Sequence, residues 1–159
     1  MIDTIIEPKP GDYSAADSVV LERTACFGAC PAYRVSIARS GVVYFESLNP
    51  NDSGSTRHGH IDPERFRDLI TTATFARFFS LPDVIGGDAY CGSQVTDVPT
   101  VTVSVFLPNR RKTIADYLGC LWGPMILRNF ESEIDEVAGT RRWARPPRYK
   151  KARQDSAGL

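Results

Sequence analysis

The sequence of 159 residues has no run of about 18 apolar residues, so it encodes no helix that could cross a bilayer. Its first 18 residues, MIDTIIEPKPGDYSAADS, lack the basic start and apolar stretch of a secretion signal. A complete chain is therefore expected in the cytoplasm, and an exported one only if a leader has been removed. Short catalytic signatures are missing too: there is no GxSxG, no HExxH and no GxxxxGK[ST]. Only two histidines occur, His58 and His60, in a Gly/Ser-rich stretch. A Cys–His or Ser–His dyad would need that stretch to fold over Cys26, Cys30 or Cys91. The H-x-H spacing is also tighter than the usual zinc pattern, so the two read as solvated loop residues and no metal or cofactor is expected. Asp83, Asp88, Asp97 and Asp116 lie near loop ends, where turns and caps account for them, and no catalytic residue is assigned.

The composition is that of a folded domain: 42% hydrophobic, 24% charged and 10% aromatic. These values exclude a wholly disordered chain and a collagen-like fibre. Basic and acidic residues are 19 each, which argues against a nucleic-acid protein until their positions are considered. Residues 1–140 hold 12 basic and 18 acidic groups, and residues 141–159 hold 7 and 1. The chain is an acidic domain followed by a basic tail.

Periodicity supplies the elements. Residues 1–16, with Pro8, Pro10 and Gly11, read as a lead-in arm. Residues 18–24 are rich in β-formers. From Ala32 the chain alternates, with Tyr33, Val35 and Ile37 on one face. Gly41 then supplies a turn, and residues 42–48 return, so 32–48 reads as a hairpin. Residues 49–60 read as a loop. Asp62-Pro63-Glu64 starts a helix whose stripe is Phe66, Leu69, Ile70 and Ala73. Residues 82–98 read as a long loop. Residues 100–107 and 112–117 form a second hairpin, and Pro124 opens a last helix carrying Leu127, Phe130, Ile134 and Val137, closed by Gly139. The order β-ββ-α-ββ-α predicts a single two-layer α+β domain over residues 17–144. Its antiparallel sheet would have about five strands, with two helices on one face. Residues 145–159 read as a basic, disordered tail.

Residues 26–37, CFGACPAYRVSI, resemble the CFGxCPxY signature of an uncharacterised bacterial domain family. The matching positions are Cys26, Phe27, Gly28, Cys30, Pro31 and Tyr33. Further matches are Asp97 and Pro99 within TDVPTVTVS, the Asp116-Tyr117 pair, and a terminal helix followed by Trp143. The resemblance covers about residues 17–144. It implies a fold and these notable positions, with no activity attached, and many members of that family look exported.

Cys26 and Cys30 allow three readings: a turn with free thiols, a local disulfide fixing the shape of that turn, or a metal or redox site. Cys91 and Cys120 read as small semi-buried thiols. Three functions remain in view. The leading one is a non-enzymatic interaction module that contacts a protein partner through its sheet face or its CFGAC loop. The second is a thiol-dependent redox or other cysteine enzyme using Cys26 and Cys30. The third is anion or nucleic-acid binding by the tail, through Arg141, Arg142, Arg145, Arg148, Lys150, Lys151 and Arg153, with Trp143 and Tyr149 interleaved. A competing reading of the tail is internal: Glu131, Glu133, Asp135 and Glu136 hold it. Tail-driven binding of an anionic polymer should weaken steeply with salt and vanish on truncation after Trp143. A titration of both chains at two salt concentrations checks this, and salt-independent binding would dismiss it.

Overall fold

A computed structural model describes residues 6–26, 29–52 and 54–145. The strands are β1 (Ser18–Arg23), β2 (Tyr33–Ala38), β3 (Val42–Ser47), β4 (Thr56–His60), β5 (Val84–Ile85), β6 (Thr100–Phe106) and β7 (Arg111–Tyr117). They form one sheet in the order β4-β3-β2-β1-β6-β7-β5. The helices are α1 (Pro10–Ser14), α2 (Pro63–Phe75), α3 (Asp88–Cys91) and α4 (Met125–Ala138). β1 lies at the centre, with the hairpins β2–β3 and β6–β7 on its two sides. Leu21 faces Val35 on one side and Val103 on the other.

Alternation along the strands buries one sheet face. Val19, Leu21, Val35, Ile37, Val43, Val101, Val103, Val105 and Ile114 are all fully buried there. The stripes of α2 and α4 close over them, and Phe78, just after α2, meets Phe130 of α4 edge to face at 5.7 Å. Asp62 caps α2 by accepting from the Glu64 amide at 2.9 Å. The opposite sheet face remains open. Val20, Glu22, Arg34, Ser36, Tyr44, Glu46, Thr102, Ser104 and Phe106 surround a shallow recess of about 500 Å³ on it.

The α+β class and the single sheet agree with the sequence reading, while the element count does not. Seven strands and four α-helices among the described residues replace five and two. β4 occupies the expected 49–60 loop and pairs with β3, placing His60 opposite Val42 and His58 opposite Tyr44. The histidines therefore sit on an edge strand and not in a loop. Backbone pairing with β3 makes this strand, since its residues lack an apolar alternation. The expected 82–98 loop contains β5 and α3. β5 runs parallel to β7, so the sheet is not wholly antiparallel. In the expected lead-in arm, α1 carries Tyr13 into the core. The Tyr13 hydroxyl donates to Glu7 at 2.6 Å and accepts from the Phe79 amide at 3.1 Å. Trp143 folds back onto Phe45, with ring centroids 5.5 Å apart.

Gly41 turns the β2–β3 hairpin at a φ of 95°. Its carbonyl accepts from the Ile61 amide at 2.8 Å, and a Cβ would lie 2.1 Å from the Ile61 carbonyl oxygen. Gly41→Ala should cost about 2–3 kcal/mol of stability in urea unfolding. A loss below about 0.5 kcal/mol would contradict this account of the turn.

Candidate functional site

The ends of β1, β2, β6 and β7 that meet at Arg23, Tyr33, Thr100 and Tyr117 gather most of the residues singled out in the sequence. Cys26 and Cys30 are joined as a disulfide in the β1–β2 connection. Of the three sequence readings, the local bridge is the one observed, so free thiols and thiolate ligands do not apply. Phe27 and Gly28 lie outside the described residues.

Tyr33 is buried at the start of β2. Its ring stacks on Phe45, and its hydroxyl donates to Asp135 Oδ1 at 2.6 Å. Arg23 reaches the same carboxylate, with Nη2 2.7 Å from Oδ2, and its Nε donates to the Tyr33 hydroxyl at 3.1 Å. Thr140 adds a third donor to Asp135 at 2.8 Å. Burial, reinforced by the Asp135 carboxylate, raises the Tyr33 hydroxyl above its ordinary value, so it stays a neutral donor.

Asp116 is fully buried on β7. Arg128 of α4 forks onto it with two 3.1 Å bonds and donates to the Tyr117 carbonyl at 3.1 Å. Glu131, one turn along α4, hydrogen-bonds Asp116 from a buried position, and its Oε2 has no hydrogen-bond partner among the described residues. Burial first, and then the Asp116 charge, push its carboxyl up to about 9. A neutral acid suits that environment, because it can donate to Asp116 and leaves no bare charge. Glu131 and Asp135 thus make their described contacts within the fold, while tail residues 146–159 lie outside the described residues. Sequence reasoning did not single out Arg23, Arg128 or Thr140. It had one usable signal here, since Glu131 falls four residues after Leu127 on the apolar stripe.

At the rim, the Tyr117 hydroxyl donates to the Val95 carbonyl, and the Leu118 amide donates to the Pro99 carbonyl at 3.2 Å. Asp97 is exposed, at a left-handed φ of 64°, in the turn before β6. Cys91 and Cys120, expected as separate thiols, form a second disulfide, and both residues are fully buried. They come together where the turn after β7 meets the segment that follows α3, in which Gln94 forms a β-bridge with Cys120. The Val95 amide donates to the Gly119 carbonyl at 2.8 Å.

This braced turn presents apolar side chains outward. Leu121, Trp122, Met125 and Ile126 are 58, 70, 67 and 44% exposed. Trp122 lies flat against Gly92, where a Cβ would meet its ring at 2.9 Å. Tyr90 and Val95, on the segment that carries Gly92, are exposed as well.

The remaining candidates lie elsewhere. Asp83 pairs with Lys112 at 2.6 Å, and Asp88 accepts from Gln94 at 2.7 Å. His58 packs on Tyr44, with ring centroids 5.0 Å apart. Arg141 is exposed. Arg142 lies over Trp143 at 3.8 Å and donates to the Gly139 and Ala138 carbonyls. The Arg145 carbonyl accepts from Asn49 at 2.8 Å. Arg148, Lys150, Lys151, Arg153 and Tyr149 lie outside the described residues. Among the described residues there is no cluster of three or more His, Cys, Asp or Glu able to hold a metal. A recess of about 480 Å³ between α2 and α4 is lined by Arg65, Asp68, Glu133 and Glu136, the last two of which are among the acids considered as holding the tail, and by none of the CFGxCPxY-related or tail positions. No helix among the described residues is long and apolar enough to cross a membrane.

A family model described as "Domain of unknown function (DUF6438)" matches residues 17–138. No curated protein matches the chain.

The folded Glu131 carboxyl keeps its proton up to about pH 9, whereas an unfolded one releases it near 4.5. The stability it contributes is therefore complete below pH 4.5 and is lost as pH rises to 9. Within that window the slope is about 1.4 kcal/mol per pH unit at most. Glu131→Gln keeps a donor for Asp116 and removes the titration, so it should gain stability relative to the parent as pH rises from 5 to 8.5. Urea unfolding of both proteins across that range checks this, and parallel pH curves would refute a neutral Glu131.

Proposed function

The chain belongs to the family Domain of unknown function (DUF6438), which carries no assigned activity, and from the molecular surface we propose that it is a non-enzymatic interaction module that binds a protein partner. The observation that carries this reading is the exposed apolar cluster of Leu121, Trp122, Met125 and Ile126. Four large apolar side chains in six consecutive residues exceed what scattered surface hydrophobics account for. Trp and Met are typical of binding surfaces, Trp for its rigid contact area and Met for its adaptability. The Cys91–Cys120 bridge and the Gly92 seat hold the cluster in place before any partner arrives, which lowers the ordering cost of association. The partner surface should be an apolar groove or strip with few charges at its centre.

This reading differs from the earlier expectation of a sheet-face or CFGAC-loop contact, because it moves the interface to the α3–α4 end. It also favours an oxidising compartment over the cytoplasm. Two disulfides among the described residues support that placement, as such bridges persist where thiols are not kept reduced.

The test compares the parent chain with Trp122→Ala and with Val42→Ala, whose side chain is exposed at the β2–β3 turn, at the end of the sheet opposite to Tyr117 and the cluster. Affinity capture followed by mass spectrometry should identify a partner that Val42→Ala retains and that Trp122→Ala loses by at least about tenfold in affinity. Both variants should melt close to the parent, since both side chains are exposed. A partner that binds Trp122→Ala as tightly as the parent, or only through the basic tail, would overturn the proposal.

A further inference from the structure

We propose that the recess between the β3–β4 end of the sheet and the root of the tail binds a small oxyanion that keeps a hydroxyl of its own, hydrogen phosphate or a hydroxycarboxylate. This recess shares no residue with the Trp122 cluster, and the inference does not depend on the interaction reading.

Charge marks the site. The recess holds about 290 Å³, and its charged walls are Arg57 of β4, Arg142 and Arg145 after α4, and Asp52. Elsewhere the acids prevail. The recess between α2 and α4 sets three acids against Arg65, and the one on the open sheet face sets Glu22 and Glu46 against Arg34. Arg23, Arg34 and Arg128 each have a carboxylate partner, whereas Arg57, Arg142 and Arg145 form no ion pair among the described residues. Three like charges around one hollow repel one another, and an anion entering the hollow relieves that repulsion.

The arginines are also held ready. The Arg142 guanidinium lies over Trp143 at 3.8 Å, and its Nε and Nη2 donate to the Gly139 and Ala138 carbonyls at 3.2 and 3.3 Å. The Arg142–Trp143 pair rests on Gly59 of β4, where a Cβ would lie 2.6 Å from Arg142 Nη2 and 3.0 Å from the Trp143 ring. A glycine inside a strand marks such a close approach. Arg57 Nη1 donates to the Thr56 carbonyl at 2.9 Å and to the Ser55 hydroxyl at 3.4 Å. A guanidinium has five N–H donors, so Nη1 of Arg142 and Nε and Nη2 of Arg57 remain for a ligand. Planar forks of this kind match the oxygens of phosphate and carboxylate. Buried Phe45 and half-buried Trp143 form an apolar floor beneath them. Arg57 and Gly59 thus answer to the recess and not to the core, which suits a strand with no apolar alternation.

Asp52 selects among oxyanions. The Ser47 hydroxyl donates to its Oδ1 at 2.7 Å, and its Oδ2 has no partner among the described residues. An ionised carboxylate only accepts hydrogen bonds. It repels an anion with no proton to offer. Hydrogen phosphate or a hydroxycarboxylate can donate its hydroxyl to Asp52 while its other oxygens accept from the arginines.

The experiment is isothermal titration calorimetry of the full chain, in an amine buffer at neutral pH and constant ionic strength. Two pairs of probes are used: phosphate against sulfate, and citrate against tricarballylate, which is citrate without its hydroxyl. We expect the hydroxyl-bearing member of at least one pair to bind with a dissociation constant below about 1 mM, and at least about fivefold more tightly than its mate. The pair that shows this distinguishes a phosphate ligand from a carboxylate one. Arg57→Gln should weaken that binding at least about tenfold. Asp52→Asn should bring the two members of the pair to within about twofold of each other. Both side chains are exposed, so both variants should melt with the parent. A full-length Arg148→Gln/Lys150→Gln/Lys151→Gln/Arg153→Gln variant should keep the affinity to within about threefold. No binding of phosphate or citrate up to about 10 mM would overturn the site. So would binding that survives Arg57→Gln but disappears with the four tail cations. Equal binding of both members of each pair by the parent would overturn the selection by Asp52.

Discussion

Asp135 is the point on which the packing of α4 turns. One carboxylate on a buried helix face takes hydrogen bonds from Arg23 on β1, Tyr33 on β2 and Thr140 beyond the helix end. The first two settle where the helix lies across the sheet. The third bends the chain after Gly139, so that Trp143 reaches Phe45 on β3. Two turns earlier on the same helix, Arg128 locks onto Asp116 of β7. A slide of α4 by one turn, about 5.4 Å, would break both anchors together. Buried ion pairs add little net stability, and here their effect is one of register: apolar packing alone would tolerate neighbouring positions of the helix.

The parts of this fold that were legible in the sequence share a physical basis. β1, the two hairpins, α2 and α4 each carry an apolar period of their own, so the local pattern and the final packing agree. β4 carries none, because Thr56, Arg57, His58, Gly59 and His60 become a strand only through the free edge of β3. The Cys91–Cys120 pair was hidden for a related reason. Its partners are 29 residues apart, and their meeting depends on how the turn after β7 packs. Tyr33 and Asp116 were named by resemblance, but their roles required partners on α4 that no local motif announces. The apolar run around Trp122 could equally have been core, and only the fold turns it outward.

The charge division sharpened in one respect. The tail was read as a block of cations, yet its first members also serve the domain. Arg142 covers Trp143 and ties down the last carbonyls of α4, and the backbone of Arg145 is held by Asn49. The boundary between acidic domain and basic tail is therefore a set of contacts, with the end of the disulfide connection joined to it through Asn49 and the Asp135 anchor through Thr140.

The open sheet face has a separate meaning for how such a domain changes over time. Along β1, β2 and β6, neighbouring residues answer to different demands. Val19, Leu21, Val35, Val101 and Val103 hold the two layers together, while Val20, Glu22, Arg34, Ser36, Thr102 and Ser104 line the recess on the other face. The Glu22–Arg34 pair and the Ser104–Thr113 contact on that face are exposed bonds of small energetic weight. A substitution there alters what the molecule shows its surroundings and leaves untouched what keeps it folded. One scaffold can in this way carry many outer faces.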